Sequence, residues 1–179
     1  MKTTYWEIDP VHSEIHFKIR HLLISTVTGA FRMFTGKLEN NDPESFEGAH
    51  IEMTLDVYSI DTNETERDED LKSAVFFDAD TYPEISFQST SFHHIKGDAY
   101  KLSGNFTLKG ITKEIVLDVL FGGEAKDGFG NYRAGFEING AINRKDFGLK
   151  HDGLTEAGGL ILGEEVKLIA NIQFIRKDL

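Results

Sequence analysis

From Glu14 to Arg20, Ile15, Phe17 and Ile19 alternate with Glu14, His16, Lys18 and Arg20, the period-two signal of a strand with one buried face. The alternation returns over residues 48–60, where Ile51, Met53, Leu55 and Val57 share a face, and over 99–110, where Tyr100, Leu102, Phe106 and Leu108 do. Further strands read at 27–39, 84–93, 112–122, 131–142 and 164–175, the last with Val166, Leu168, Ala170, Ile172 and Phe174 in step. That makes about eight strands. One segment breaks the rhythm: Asp61 followed three residues later by Glu64 forms a capping-box pattern, with acidic residues gathered behind it, and predicts a short helix over 62–73. Turn signals at Gly110, Gly122-Gly123, Asp127-Gly128, Gly130-Asn131, Gly153 and Gly158-Gly159 keep most connections short.

Long antiparallel strands joined by short turns form a sandwich or close into a barrel, and closure removes the exposed edges. The expected fold is all-β, an eight-stranded antiparallel barrel with one short helix after the third strand. Strands of about eleven residues at about 3.3 Å each, tilted by about 40°, give a wall on the order of 28 Å high. Such a barrel can be filled by its own side chains or can hold a ligand, and strand count does not choose between them. Composition bears on that choice: the chain carries 14 Phe against 1 Trp and 5 Tyr, so most of its aromatic surface lacks a polar tip. A large dry space needs lining.

The 179 residues suit a single domain over 1–179. The net charge of -11 repels polyanions and argues against nucleic acid as a partner. With no cysteine there is no disulfide framework, thiolate nucleophile or Cys-ligated zinc. The first twenty residues interleave charges with apolar residues, and no segment reaches about 18 apolar residues, so the expected location is cytoplasmic, with no integral membrane segment.

Common catalytic signatures are missing: no G-x-S-x-G elbow, Walker A loop, G-x-G-x-x-G fingerprint or H-E-x-x-H helix. No catalytic residue and no metal site is expected. His12 and His16 share the outward parity of Glu14 and Lys18, His93 and His94 end a strand without a third ligand, and His50 and His151 carry no local pattern. His21 is different, because its parity places it with Ile15, Phe17 and Ile19, where an imidazole needs either a structural hydrogen bond or a ligand's polar head. Arg144 likewise ends the inward row of Ala134, Phe136, Ile138 and Ile142, and calls for an internal carboxylate (Asp146, Asp61 or Asp68) or an anionic ligand. Phe76-Phe77, Tyr82-Pro83, Ile85 and Phe87 put dense apolar material just after the helix, as a plug for one mouth, as contacts for a ligand tail, or both.

Several motifs taken in order resemble one family. W-x-I-D-P-x-H-S-x-I-x-F runs from Trp6 to Phe17, followed by His21, and G-x-F-x-x-F-x-G from Gly29 to Gly36. S-I-D-T follows at Ser59 to Thr62, R-D-x-x-L at Arg67 to Leu71, F-F-D at Phe76 to Asp78 and Y-P-x-I-x-F at Tyr82 to Phe87. G-N-F-T-L-K-G-I-T at Gly104 to Thr112 and N-R-x-D-F-G at Asn143 to Gly148 complete the set. The chain resembles the YceI-like, polyisoprenoid-binding lipid carriers over nearly its whole length. The resemblance implies a lipocalin-like barrel, a long isoprenoid or quinone-like lipid inside it, a non-catalytic carrier role, and often a homodimer. No cofactor is expected beyond that lipid. The positions expected to bind it are Phe17, Ile19, His21, Phe31, Phe34, Phe76, Phe77, Phe87, Phe106, Ile142 and Arg144. Phe106 stands where relatives commonly carry leucine, and if it points inward it narrows the tube. Two other readings stay open: an enzyme acting on a lipid, with His21 oriented by Asp146 or Asp61, and a stress-linked partner-binding module.

Overall fold

The computed structural model describes residues 2–22, 24–151 and 162–177. Eleven antiparallel segments form one sheet: β1 (Thr4–Ile8), β2 (Glu14–His21), β3 (Ser25–Phe31), β4 (Phe34–Asn40), β5 (His50–Asp56), β6 (Ile60–Asp61), β7 (Glu84–Lys96), β8 (Ala99–Leu108), β9 (Ile111–Lys126), β10 (Tyr132–Asn143) and β11 (Leu162–Lys177). Each of the first three pairs is one stave with a break in it. β11 pairs with β1 along its C-terminal part and with β2 along its N-terminal part, so β1 and β2 run on the same edge. β3 and β4 continue one another in the same way, as do β5 and β6. With β7 to β11 the count is eight staves, and pairing of β1 with both β4 and β11 closes the barrel.

The staves bend for a local chemical reason. The 3-10 turns Pro10–His12 and Val57–Ser59 are each preceded by an aspartate, Asp9 and Asp56, whose side chain accepts from the backbone N–H two residues on. A third turn, Arg144–Phe147, has Asn143 in the same role and ends on Gly148 in the left-handed region. Segment 27–39, expected as continuous, breaks at Arg32 and Met33, where the Met33 N–H turns to the Ser59 hydroxyl (3.0 Å). The first stave also begins earlier than its alternation suggests, at Thr4.

The helix, α1, spans Thr65–Lys72, and Glu64 caps it instead of Asp61. Asn63 adopts φ 66 and turns the chain, and the Asp61 carboxylate accepts from the Asn63 N–H (2.9 Å) and from Arg32 Nε (3.0 Å). No helix among the described residues is long and apolar enough to cross a membrane.

One end of the barrel is filled. Phe46, from the connection between β4 and β5, turns inward against Phe121 (5.3 Å between centroids) and Phe136 (5.2 Å), and Phe92 stacks on Tyr100 at 4.7 Å. Buried Asn40 holds that connection in place by donating to the carbonyls of Asp42 and Ser45. This aromatic floor lies opposite the end that α1 crosses, the mouth.

Candidate functional site: an apolar channel beneath a helical strap

Inward-facing alternate residues of the staves enclose two cavities. The upper one, about 170 Å³, opens toward the mouth, and Phe17, Ile19, His21, Phe31, Phe76, Phe77, Phe106, Ile142 and Arg144 all border it. The lower one, about 110 Å³, is bordered by Phe87, Met53, Leu117 and Ile138 among others. Phe31, Ile85, Phe106 and Leu168 border both and form a neck between them. Phe106 does point inward, and the edge of one ring meets the face of the other where it packs on Phe147 at 5.4 Å. Phe31 is held between Phe17 (5.7 Å) and Phe77 (6.1 Å).

Ten of the eleven expected positions therefore meet around one channel. Phe34 does not: it packs against the core but borders a separate, more open pocket with Met33, Tyr58 and Pro10. The break at Arg32–Met33 shifts the inward parity from odd to even positions, so Phe34 shares a row with Gly36 and Leu38, but at the end of β4 and outside both cavities. Val27, Thr62, Arg67, Leu71, Leu149 and Leu162 also border the upper cavity and were not expected there. For Arg67 and Leu71 the available signal was the R-D-x-x-L pattern, whose role shows only when the helix is seen over the mouth.

Polar groups gather at the mouth, and most are engaged. Arg67 donates from Nε to the Thr62 hydroxyl (2.7 Å) and from Nη2 to the Thr62 carbonyl (2.5 Å). The Thr62 hydroxyl and N–H both donate to Asp68 (2.5 and 2.8 Å), so the start of α1 is tied back to the end of β6. Arg144, only 3% exposed, does not take the carboxylate partners expected for it: Asp61 goes to Arg32, Asp68 to Thr62, and Asp146 is exposed. It donates instead to the carbonyls of Gly163 (2.7 Å), Leu149 (2.6 Å), His151 (3.2 Å) and Leu162 (3.4 Å). These carbonyl dipoles spread over the delocalised guanidinium and staple the chain after β10 to the start of β11. The His21 imidazole borders the cavity half-buried, with no side-chain hydrogen bond to a described residue. His12 pairs with Asp9 and His93 with Glu47, both outside the channel, while His16, paired with Glu14, also borders the lower cavity. Among the described residues no group of three or more acidic or imidazole side chains is placed to hold a metal ion.

A family model for the YceI-like domain matches residues 6–174. The chain belongs to the YceI-like family. A UPF0312 protein of Photorhabdus laumondii is 39% identical over 146 residues, covering 82% of this chain and 75% of that protein. One from Serratia proteamaculans is 37% identical over 167 residues, covering 92% and 82%. Among solved structures, the Campylobacter jejuni YCEI protein matches with a TM-score of 0.77 at 32% identity, over 90% of this chain and 91% of that one. A polyisoprenoid binding domain from Saccharophagus degradans matches with a TM-score of 0.72 at 16% identity, over 98% and 100%, a likeness of fold. In this YceI-like chain the signature motifs fall where staves break or where the mouth is tied: Asp9-Pro10, Asp61-Thr62, Arg67 and Asn143-Arg144.

Proposed function

We propose that this YceI-like protein binds and carries a long-chain isoprenoid or quinone-like lipid, with the tail in the channel and the polar head at the mouth. The observation that carries this reading is the distribution of polarity: a largely carbon-lined channel in two chambers, with His21, Thr62, Arg67 and Arg144 gathered at the mouth and, in the lower chamber, His16 already engaged by Glu14. A tail that loses about 300 Å² of apolar surface gains on the order of 7 kcal/mol before the cost of immobilisation is subtracted, so affinity comes mainly from the tail. His21 is the residue assigned to the head, because its imidazole borders the cavity and lacks a described partner. The Saccharophagus domain of the same fold, described as polyisoprenoid-binding, supports the choice of lipid class.

The same geometry supports a non-catalytic role. In the enzyme reading Asp61 or Asp146 orients His21, but Asp61 is engaged by Arg32 and Asn63, and neither carboxylate hydrogen-bonds the imidazole. Native mass spectrometry of the protein from its own host, with organic extraction, tests the proposal. A stoichiometric isoprenoid or quinone recovered unchanged is the expected result. An empty barrel that also rejects added prenols overturns it.

A further inference from the structure

Four inward positions of the wall are glycines, and each lies under a large side chain that borders a cavity. Gly29 on β3 faces Phe17, its direct cross-strand partner, and Gly36 on β4 faces Met53 in the same relation. Gly104 on β8 lies beneath Phe87, and Gly140 on β10 beneath Leu117. A Cβ at Gly29 would overlap the Phe17 ring, at 2.5 Å from Cε1 and 2.8 Å from Cε2. At Gly104 it would meet Phe87 Cε2 at 2.7 Å, and at Gly36 and Gly140 it would overlap Met53 Sδ and Leu117 Cδ2. Val27, Phe31, Leu102, Phe106, Ile138 and Ile142 flank Gly29, Gly104 and Gly140 on the rows that line the cavities, and Gly36 shares its row with buried Leu38.

We infer that these four glycines set the bore of the channel: each is a recess that lets a bulky neighbour lie flat along the wall instead of projecting into the lumen. The inference rests on the lipid-channel reading and extends it to what decides the cross-section of the chain admitted. Glycine weakens a strand interior, and a ring laid across it restores part of the packing, so stability alone leaves the choice of glycine unexplained. Space explains it. The two cavities are small, and a ring displaced from a recess has nowhere to go but into them. A phenyl ring turned inward at Phe17 fills much of the upper chamber, and Leu117 does the same to the lower. The width left by flattened side chains suits one slender, methyl-branched chain.

The test uses Gly29→Ala and Gly140→Ala, whose overlaps are with side chains, and leaves Gly104 aside because the added carbon there also meets the backbone carbonyl of Gln88 at 2.6 Å. Crystals under xenon pressure read the bore without any lipid, since xenon enters dry apolar cavities. The wild type should hold xenon in both chambers, Gly29→Ala should lose the upper site, and Gly140→Ala the lower. Geranylgeraniol uptake, read by native mass spectrometry, should fall at least tenfold in each variant. Removing the displaced side chain, in Gly29→Ala with Phe17→Ala and in Gly140→Ala with Leu117→Ala, should bring uptake back to within about threefold of wild type. Unchanged xenon sites and uptake in the folded single variants overturn the inference, as does a double variant that stays shut. If a single variant does not fold, the double variant decides: folding with both chambers open supports the recess, and failure to fold overturns it. A wild type that takes xenon but no prenol defeats the lipid reading and leaves the recess account standing on its xenon sites.

Discussion

Arg133 and Asp9 meet at 2.6 Å across the seam where β1 bends into β2, and the same guanidinium reaches Asp127 at 2.7 Å in the turn between β9 and β10. Burial alone would push the Asp9 carboxyl up; Arg133, His12 and the Val11 N–H outweigh it and bring the pKa down to about 2. Arg133, with the Asn131 and Phe129 N–H groups, holds Asp127 well below the usual carboxylate range.

Acid should therefore loosen the floor end. Asp9 is depressed below its unfolded value near 4, so its contribution, on the order of 1–2 kcal/mol, is present in full above that value and lost as pH falls toward 2. Arg133→Met should cost about 2–3 kcal/mol at neutral pH and flatten that acid limb. Urea titrations from pH 2 to 7 measure both, and an unchanged neutral midpoint in the variant would contradict this account.

Phe106 governs the neck. Phe106→Leu removes the ring that packs on Phe147, at about 1 kcal/mol of stability, and should join the chambers. Phe106→Trp should seal the lower chamber. Crystal structures under xenon pressure read both outcomes, and prenol uptake should rise or hold in the first variant and drop in the second.

Thr62 ties the strap. Thr62→Val deletes the hydroxyl that accepts from Arg67 and donates to Asp68, at about 1–3 kcal/mol. Hydrogen exchange should speed up over Thr65–Lys72 while β8 to β10 stay protected. Uniform acceleration across the barrel would mean that the strap is not a local unit.

Phe136 belongs to the floor, within reach of Phe46, Phe121 and Phe174. Phe136→Ala should cost about 3–5 kcal/mol and deepen the lower chamber. Competition between geranylgeraniol and solanesol should then shift toward the longer chain; a preference that does not move would place the limiting contact elsewhere.

The lining was legible because strand parity is a local property: Ile15, Phe17 and Ile19 must face together whatever closes the barrel. Local order also carried the helix, though not its cap, because the turn at Asn63 depends on Arg32 drawing Asp61 aside. What the pattern could not carry depends on partners distant in sequence. The inward parity switches from Phe31 to Phe34 at a break fixed by Ser59, Phe46 enters the floor from a connection with no periodicity, and Arg144 finds carbonyls on a neighbouring strand. The glycine recesses were hidden for the same reason, since Gly29 acquires meaning only beside Phe17.

The aromatic floor makes the barrel a cup and not a pipe. Under the proposed function, cargo that slid in tail first would back out head first through the same doorway. A vessel of that shape cannot pass its load straight through from one side to the other. On the proposed carrier reading it would have to show one rim to the source, turn over, and show the same rim to the recipient, so that delivery would be paced by encounters at that rim rather than by travel along the bore.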